Sequence, residues 1–143
     1  MNMKHSFKTI ILSLFVFGLI SPLWAMAEDV IVIANKSVPQ SSLDADIVKK
    51  IYVGDISIWP DNTTVVVTIM DKSDFHEDFL TKYVSKSKSQ FKATWKNIMF
   101  SGKGPYPKQF DNVDDLIKFV TNTTGAIGYV NASASPADVI VLK

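Results

Sequence analysis

The stretch Val30-Ile31-Val32-Ile33-Ala34 is an unbroken apolar run of mostly β-branched residues. Because polar and apolar residues do not alternate in it, the pattern predicts a strand that is buried on both faces of a sheet. Two later runs have the same character, Val65-Val66-Val67-Thr68-Ile69 and Gly125-Ala126-Ile127-Gly128-Tyr129-Val130. We therefore expect residues 30–34, 65–69 and 127–130 to be neighbouring strands of one sheet, with residues 139–142 as a short terminal strand.

The segments between these runs carry apolar residues at helical spacing. Helix start and stop signals predict four helices. The first spans residues 43–52 after a cap at Ser42, the second begins at Asp74, the third opens at Ser87 or Ser89, and the fourth is capped by Asp111 or Asn112. Strands and helices mix from end to end, which predicts the α/β class, with a mixed sheet flanked by helices on both faces.

The first 27 residues have the pattern of a signal peptide. Lys4 and Lys8 precede an apolar stretch over residues 9–24, and Ala25-Met26-Ala27 is a small-x-small cleavage site. An uncleaved membrane anchor is the alternative, but the stretch is about 16 residues, shorter than the ~20 that a spanning helix needs. We therefore expect a signal peptide over residues 1–27 and an exported, periplasmic domain over residues 28–143, with no direct membrane insertion after cleavage.

Composition narrows the classes of function. The chain has 143 residues, 15 basic and 14 acidic groups, a formal charge of +1 and no Cys. All the basic residues are Lys, so the chain lacks Arg, whose planar guanidinium group forms two parallel hydrogen bonds with one phosphate. Without a basic patch we expect no nucleic-acid partner. One His beyond residue 27 and no Cys exclude thiol catalysis and multi-histidine metal sites, and we expect no cofactor.

His76 lies in the polar stretch from Lys72 to Asp78, which also contains Ser73 and Glu77. A serine, a histidine and an acid suggest a catalytic triad, but a triad needs partners that converge from separate elements. On one helical turn these side chains diverge. We interpret them as solvated polar residues at a helix N-terminus, and we do not expect an enzyme.

The segment Ser101-Gly102-Lys103-Gly104-Pro105-Tyr106-Pro107 is predicted to be a loop, because two Gly and two Pro in it break regular structure. Its glycines and one cation could present backbone N–H groups to an anion. It lacks the spacing of a phosphate loop, so a plain connecting loop is the alternative. Trp59 and Trp95 could serve as stacking platforms, but on apolar faces they are predicted to belong to the core.

Two motifs carry a resemblance to a known family, Ile51-Tyr52-Val53-Gly54-Asp55-Ile56-Ser57-Ile58-Trp59 and residues 125–130. They are similar to the signatures IFxGKIxxW and PGAIGYV of the periplasmic phosphate-binding proteins of ABC transporters. The opening strand followed by N-x-S-x-P, and the stretch from Phe100 to Gly104, resemble small single-lobe relatives. The likeness extends over essentially all of residues 28–143 and corresponds to about one of the family's two lobes.

The resemblance implies a single lobe of the type-II periplasmic-binding-protein fold, and binding rather than catalysis. The family's ligand motif RSDGSGT corresponds here to residues 72–78, in which Lys72 replaces Arg and both glycines are lost. Glu77 and Asp78 stand where small residues should be, and their charge should oppose phosphate. The implied ligand residues, with an anion at the helix that starts near Asp74, are Ser37, Lys72, Ser73, Ser101, Gly102 and Lys103.

The sequence leaves two hypotheses about function open. In the first, the chain is an exported solute-binding module that takes phosphate or another oxyanion weakly, or only together with a partner. In the second, it is a single-lobe accessory or sensory protein that docks on a membrane transporter or receptor and has no small ligand. A second lobe supplied by another chain is compatible with both hypotheses.

Overall fold

The sheet has five strands in the order β3-β2-β4-β1-β5 in the computed structural model, which describes residues 29–134 and 136–142. The strands are β1 (Val30–Ala34), β2 (Val66–Ile69), β3 (Lys108–Gln109), β4 (Ala126–Asn131) and β5 (Ile140–Leu142). β2 runs parallel to β3 and β4, whereas β1 is antiparallel to β4 and β5. The three long apolar runs are neighbouring strands, as predicted. The predicted signal peptide, residues 1–27, lies outside the described residues.

Within residues 29–134 and 136–142, four helices accompany the sheet: α1 (Ala45–Tyr52), α2 (His76–Phe79), α3 (Lys88–Phe100) and α4 (Val113–Asn122). A π-helical turn, Leu80–Val84, continues α2, and 3-10 turns lie at Gln40–Ser42 and Ala132–Ala134. Ser87 caps α3 and Asn112 caps α4, each one of two predicted candidates.

Two predicted helix starts are wrong. Asp44, not Ser42, caps α1, because its carboxylate accepts a hydrogen bond from the Ile47 N–H at 2.8 Å. The helix expected from Asp74 begins at His76, because residues 71–75 form turns. The edge strand β3 was not predicted, since its two exposed residues carry no apolar pattern.

The helices lie on both faces of the sheet, and two neighbouring residues of β4 show this. A Cβ atom on Gly128 would lie 2.9 Å from Leu116 and within 3.4 Å of Val120, both on α4. The next residue, Tyr129, points to the opposite face and stacks on Phe79 of α2 with ring centroids 3.7 Å apart. The fold is therefore a mixed α/β sheet between two helical layers.

Two buried tryptophans join separate parts of the fold through their indole N–H groups. Trp59 is 2% exposed and donates its indole N–H to the Gly125 carbonyl at 2.9 Å. Trp95 is 6% exposed and donates to the Tyr52 carbonyl at the end of α1, also at 2.9 Å. Both are core residues, as predicted. No helix among the described residues is long and apolar enough to cross a membrane.

Replacing Trp95 with Ala should lower the free energy of unfolding by about 3 to 5 kcal/mol, because a large buried ring is lost and a cavity remains. Trp95→Phe keeps most of the packing and loses the hydrogen bond, so it should cost about 1 to 3 kcal/mol. Urea unfolding followed by circular dichroism measures both. An unchanged midpoint for Trp95→Ala would place this ring on an exposed surface.

Candidate functional site

The carboxyl ends of β2, β3 and β4 meet at one edge of the sheet, because the three strands are parallel. A cavity of about 580 Å³ opens there, which we name the edge cavity. Its lining comes from the segment after β2, the residues around the start of α4 and the end of β4, and includes Met70, Lys72, Ser73, Asp74, Phe75, Asp78, Asp111, Val113 and Asn131. This is the edge at which α/β sheets usually bind ligands.

Acidic side chains dominate the edge cavity. Lys72 is its one cation among the lining residues, against the carboxylates of Asp74, Asp78 and Asp111. The Lys72 Nζ lies 3.6 Å from Asp111 Oδ1, and both side chains are 74% exposed, so this pair is weak. A formal excess of two negative charges opposes an anion in this cavity. Glu77, whose charge was also expected to oppose phosphate, contacts Lys88 instead, with Oε1 3.5 Å from the Lys88 Nζ.

Ser73 is half-buried at the wall of the edge cavity. Its hydroxyl donates to the Met70 carbonyl at 2.7 Å, and its backbone N–H donates to the same oxygen at 3.0 Å. These two bonds hold the turn after β2. The hydroxyl oxygen can still accept a hydrogen bond, but the hydroxyl must rotate away from Met70 before it can donate to a ligand. The helix that follows is only four residues long before it widens into the π-helical turn.

Ser37 lies at the opposite edge of the sheet. Its hydroxyl accepts a hydrogen bond at 3.0 Å from the N–H of Gly125, which precedes β4. Its own N–H donates to Asn35 Oδ1 at 2.9 Å, and the Asn35 amide donates to the Val120 carbonyl at 2.8 Å. Ser37 thus ties the end of β1 to the start of β4.

Ser101, Gly102 and Lys103 end helix α3. The Ser101 hydroxyl and the Lys103 N–H both donate to the Ile98 carbonyl, at 3.0 and 3.1 Å. Gly102 has a φ of 73°, a left-handed conformation that favours glycine. Lys103 lines a groove of about 520 Å³ beside the first residues of β2, which we name the apolar groove.

The structure does not bring the six predicted site residues together. Lys72 and Ser73 share the edge cavity, whereas Ser37 and the segment from Ser101 to Lys103 lie elsewhere. The latter four have visible roles in joining strands and ending a helix. Whether any of the six binds a ligand stays a prediction.

His76 is buried, so our interpretation of it as a solvated residue is wrong. It is 2% exposed, and its Nδ1 lies 2.5 Å from the Tyr129 hydroxyl, with the two rings stacked. Because that oxygen already accepts the Met70 N–H at 2.8 Å, we assign the hydroxyl proton to the bond with Nδ1, which leaves the imidazole proton on Nε2. The partner of His76 is a phenol, which is not the geometry of a catalytic triad.

Burial and the nearby charge of Lys88 lower the pKa of His76 to about 4, against weaker opposing effects of Asp71 and Glu77. Burial also raises the pKa of Tyr129. Both rings are therefore neutral at pH 7. No signal in the local sequence shows this, because Tyr129 lies 53 positions away from His76.

A second pocket, of about 180 Å³, lies on the other side of the turn after β2, and we name it the histidine pocket. It is lined by Ile69, Asp71, His76, Lys88, Ser89, Phe91, Lys92 and Tyr106. Asp71 is not among the site residues predicted from the sequence. The signal that could have identified it is its position just after a parallel strand, where α/β proteins often place ligand residues. Among the described residues, no group of three or more His, Cys, Asp or Glu is placed to hold a metal ion.

The chain is similar to a solved ABC-type phosphate transport receptor from Vibrio cholerae. The TM-score is 0.55 with 15% sequence identity, and the match covers 81% of this chain and 46% of the receptor. At this identity the likeness shows the fold alone, a fold like that of periplasmic binding proteins. This chain matches less than half of the receptor. No family model and no curated protein matches the sequence.

We expect the His76 imidazole to titrate near pH 4 in the folded protein. Because its unfolded pKa is about 6.5, the unfolded state takes up the proton first, and stability should fall as the pH drops from about 6.5 through 4. Nuclear magnetic resonance of the ring measures the pKa, with a His76→Phe spectrum to assign it. A midpoint near 6.5 would show that the ring is solvated.

Proposed function

We propose that this chain is a one-lobe, exported binding module that takes a small oxyanion such as phosphate weakly in the edge cavity, and that it is not an enzyme. The observation that supports it most is the placement of Lys72 and Ser73 in a cavity at the carboxyl edge of parallel strands. Export to the periplasm is supported by the pattern of residues 1–27, and a membrane transporter or receptor is the proposed partner.

Phosphate would meet the Lys72 ammonium, the Ser73 hydroxyl and the side-chain amide of Asn131 at the wall of the edge cavity. Ser73 can donate to it only by giving up its bond to the Met70 carbonyl. Lys72 must likewise leave Asp111, and the side-chain amide of Asn131 must leave the Ser133 hydroxyl, to which it donates at 2.9 Å. The anion therefore exchanges existing contacts for new ones, which limits the net gain.

The charge of the edge cavity and its exposure to water further limit its affinity for phosphate. Asp74, Asp78 and Asp111 surround the one cation of the cavity, and Lys72 offers a point charge rather than a planar fork. In the proposed one-lobe form the cavity stays open to water, which weakens each polar contact with the anion. We expect a millimolar dissociation constant, about 4 kcal/mol of binding free energy.

Calorimetric titration with phosphate at low salt tests the proposed site. We expect weak binding by the wild-type protein and a loss of about tenfold or more in Ser73→Asp, because the new carboxylate meets the anion directly. Ser101→Asp adds the same charge at the end of α3 and should bind like the wild type. Asp78→Asn should bind severalfold more tightly.

Three results would change the proposal. Micromolar binding would show that the open, acidic cavity does not weaken the site. Equal binding by the wild type and Ser73→Asp would remove Ser73 from the site. Absence of binding in all four proteins would contradict the oxyanion module and favour an interaction protein.

The second candidate function is that of a single-lobe accessory protein without a small ligand. The observation that favours it is exposed apolar surface: Phe100 is 80% exposed, Ile58 56% and Met99 40%. Ile58 borders the apolar groove, which is lined by side chains such as Ile56, Val67 and Pro105. Surfaces of this kind are used for protein contacts.

A further inference from the structure

The histidine pocket combines a buried floor with a charged rim. Ile69, His76 and Phe91 form the floor and are each at most 2% exposed. Lys88 and Lys92 are exposed residues one turn apart in the first part of α3, so they stand on the same face of that helix. The N-terminal end of α3 adds partial positive charge at this rim.

The floor also holds an unsatisfied acceptor. Asp71 Oδ1 is inaccessible to solvent and has no hydrogen-bond partner in the described part of the chain. The half-buried Asp71 lines this pocket together with His76 and Tyr106. A buried acceptor without a partner is costly, and a ligand that supplies a donor would remove the cost.

Donors stand around the same space. His76 carries its proton on Nε2, because Nδ1 accepts from Tyr129. Lys88 and Lys92 bring two positive charges against the one carboxylate of Asp71, and the contact of Lys88 with Glu77, at 3.5 Å, is solvent-exposed and weak. This pocket therefore has a formal excess of positive charge, the opposite of the edge cavity.

Size and apolar lining restrict the ligand further. A volume of about 180 Å³ corresponds to roughly six water molecules at ~30 Å³ each, and so to a ligand of about six non-hydrogen atoms. Ile69 and Phe91 offer carbon contacts that an inorganic oxyanion cannot use. A ligand that complements this lining has a carboxylate to pair with the lysines, a hydrogen-bond donor for Asp71 and a small apolar group for Ile69 and Phe91.

We propose that the histidine pocket binds a small carboxylate that carries an O–H or N–H donor on the neighbouring carbon, an α-hydroxy or α-amino acid. The carboxylate lies against Lys88 and Lys92, the donor faces Asp71, and the alkyl group packs on Phe91. This site is separate from the edge cavity, and the proposal does not depend on phosphate binding there.

The test follows the His76 ring by nuclear magnetic resonance during titration of the exported protein with L-lactate, L-alanine and propionate. The three probes have nearly the same size, and only propionate lacks the donor. We expect lactate or alanine to shift the ring signals and saturate, with propionate weaker by about tenfold or more. Propionate that binds as well as the other two, or no shift with any probe, would overturn the proposal.

Variants locate the ligand and identify its donor. Lys92→Gln should weaken binding of the preferred probe by about tenfold, whereas Lys96→Gln, an exposed site further along α3, should not. Asp71→Asn keeps an acceptor oxygen without the charge, so it should abolish binding of alanine but retain lactate. Equal binding by wild type and Lys92→Gln would overturn the proposal, as would phosphate that shifts the His76 ring equally in wild type and Ser73→Asp.

Discussion

The hydroxyl of Tyr129 joins three parts of the molecule at one buried point. It accepts the N–H of Met70 at the end of β2 and donates to His76 in the first turn of α2, while its ring stacks on Phe79. Tyr129 itself belongs to β4 and is fully buried. Both polar partners are out of reach of water, so the loss of this hydroxyl would leave a donor and an acceptor unsatisfied at about 1 to 3 kcal/mol each.

This interaction fixes the turn between β2 and α2, and the turn separates two pockets of opposite character. Lys72 and Ser73 face the edge cavity, where carboxylates are in excess. Asp71 and His76 face the histidine pocket, where ammonium groups are in excess. One short turn thus presents different residues to two different environments. A displacement of this turn would alter both pockets together, which links the packing of Tyr129 to each proposed binding property.

The sheet could be predicted from sequence because its signal is local. Unbroken runs such as Val30–Ala34 leave few alternatives to a buried strand, and three such runs predict neighbouring strands of one sheet. Short elements without an apolar pattern, such as β3, could not be predicted from the sequence. The surroundings of the predicted ligand residues could not be predicted for a different reason: Ser37 is engaged by Gly125, 88 positions away, and His76 by Tyr129, 53 positions away. Pairings of this kind appear only in three dimensions.

Amide hydrogen exchange at Met70, in the wild type and in Tyr129→Phe, tests the role of this hydroxyl most directly. We expect the Met70 amide to exchange faster in the variant by about tenfold or more, beyond any change at Val32 in the centre of the sheet. Val32, paired with Tyr129 and Leu142, reports global stability. Equal acceleration at Met70 and Val32, or none at either, would contradict the claim that Tyr129 holds the turn after β2.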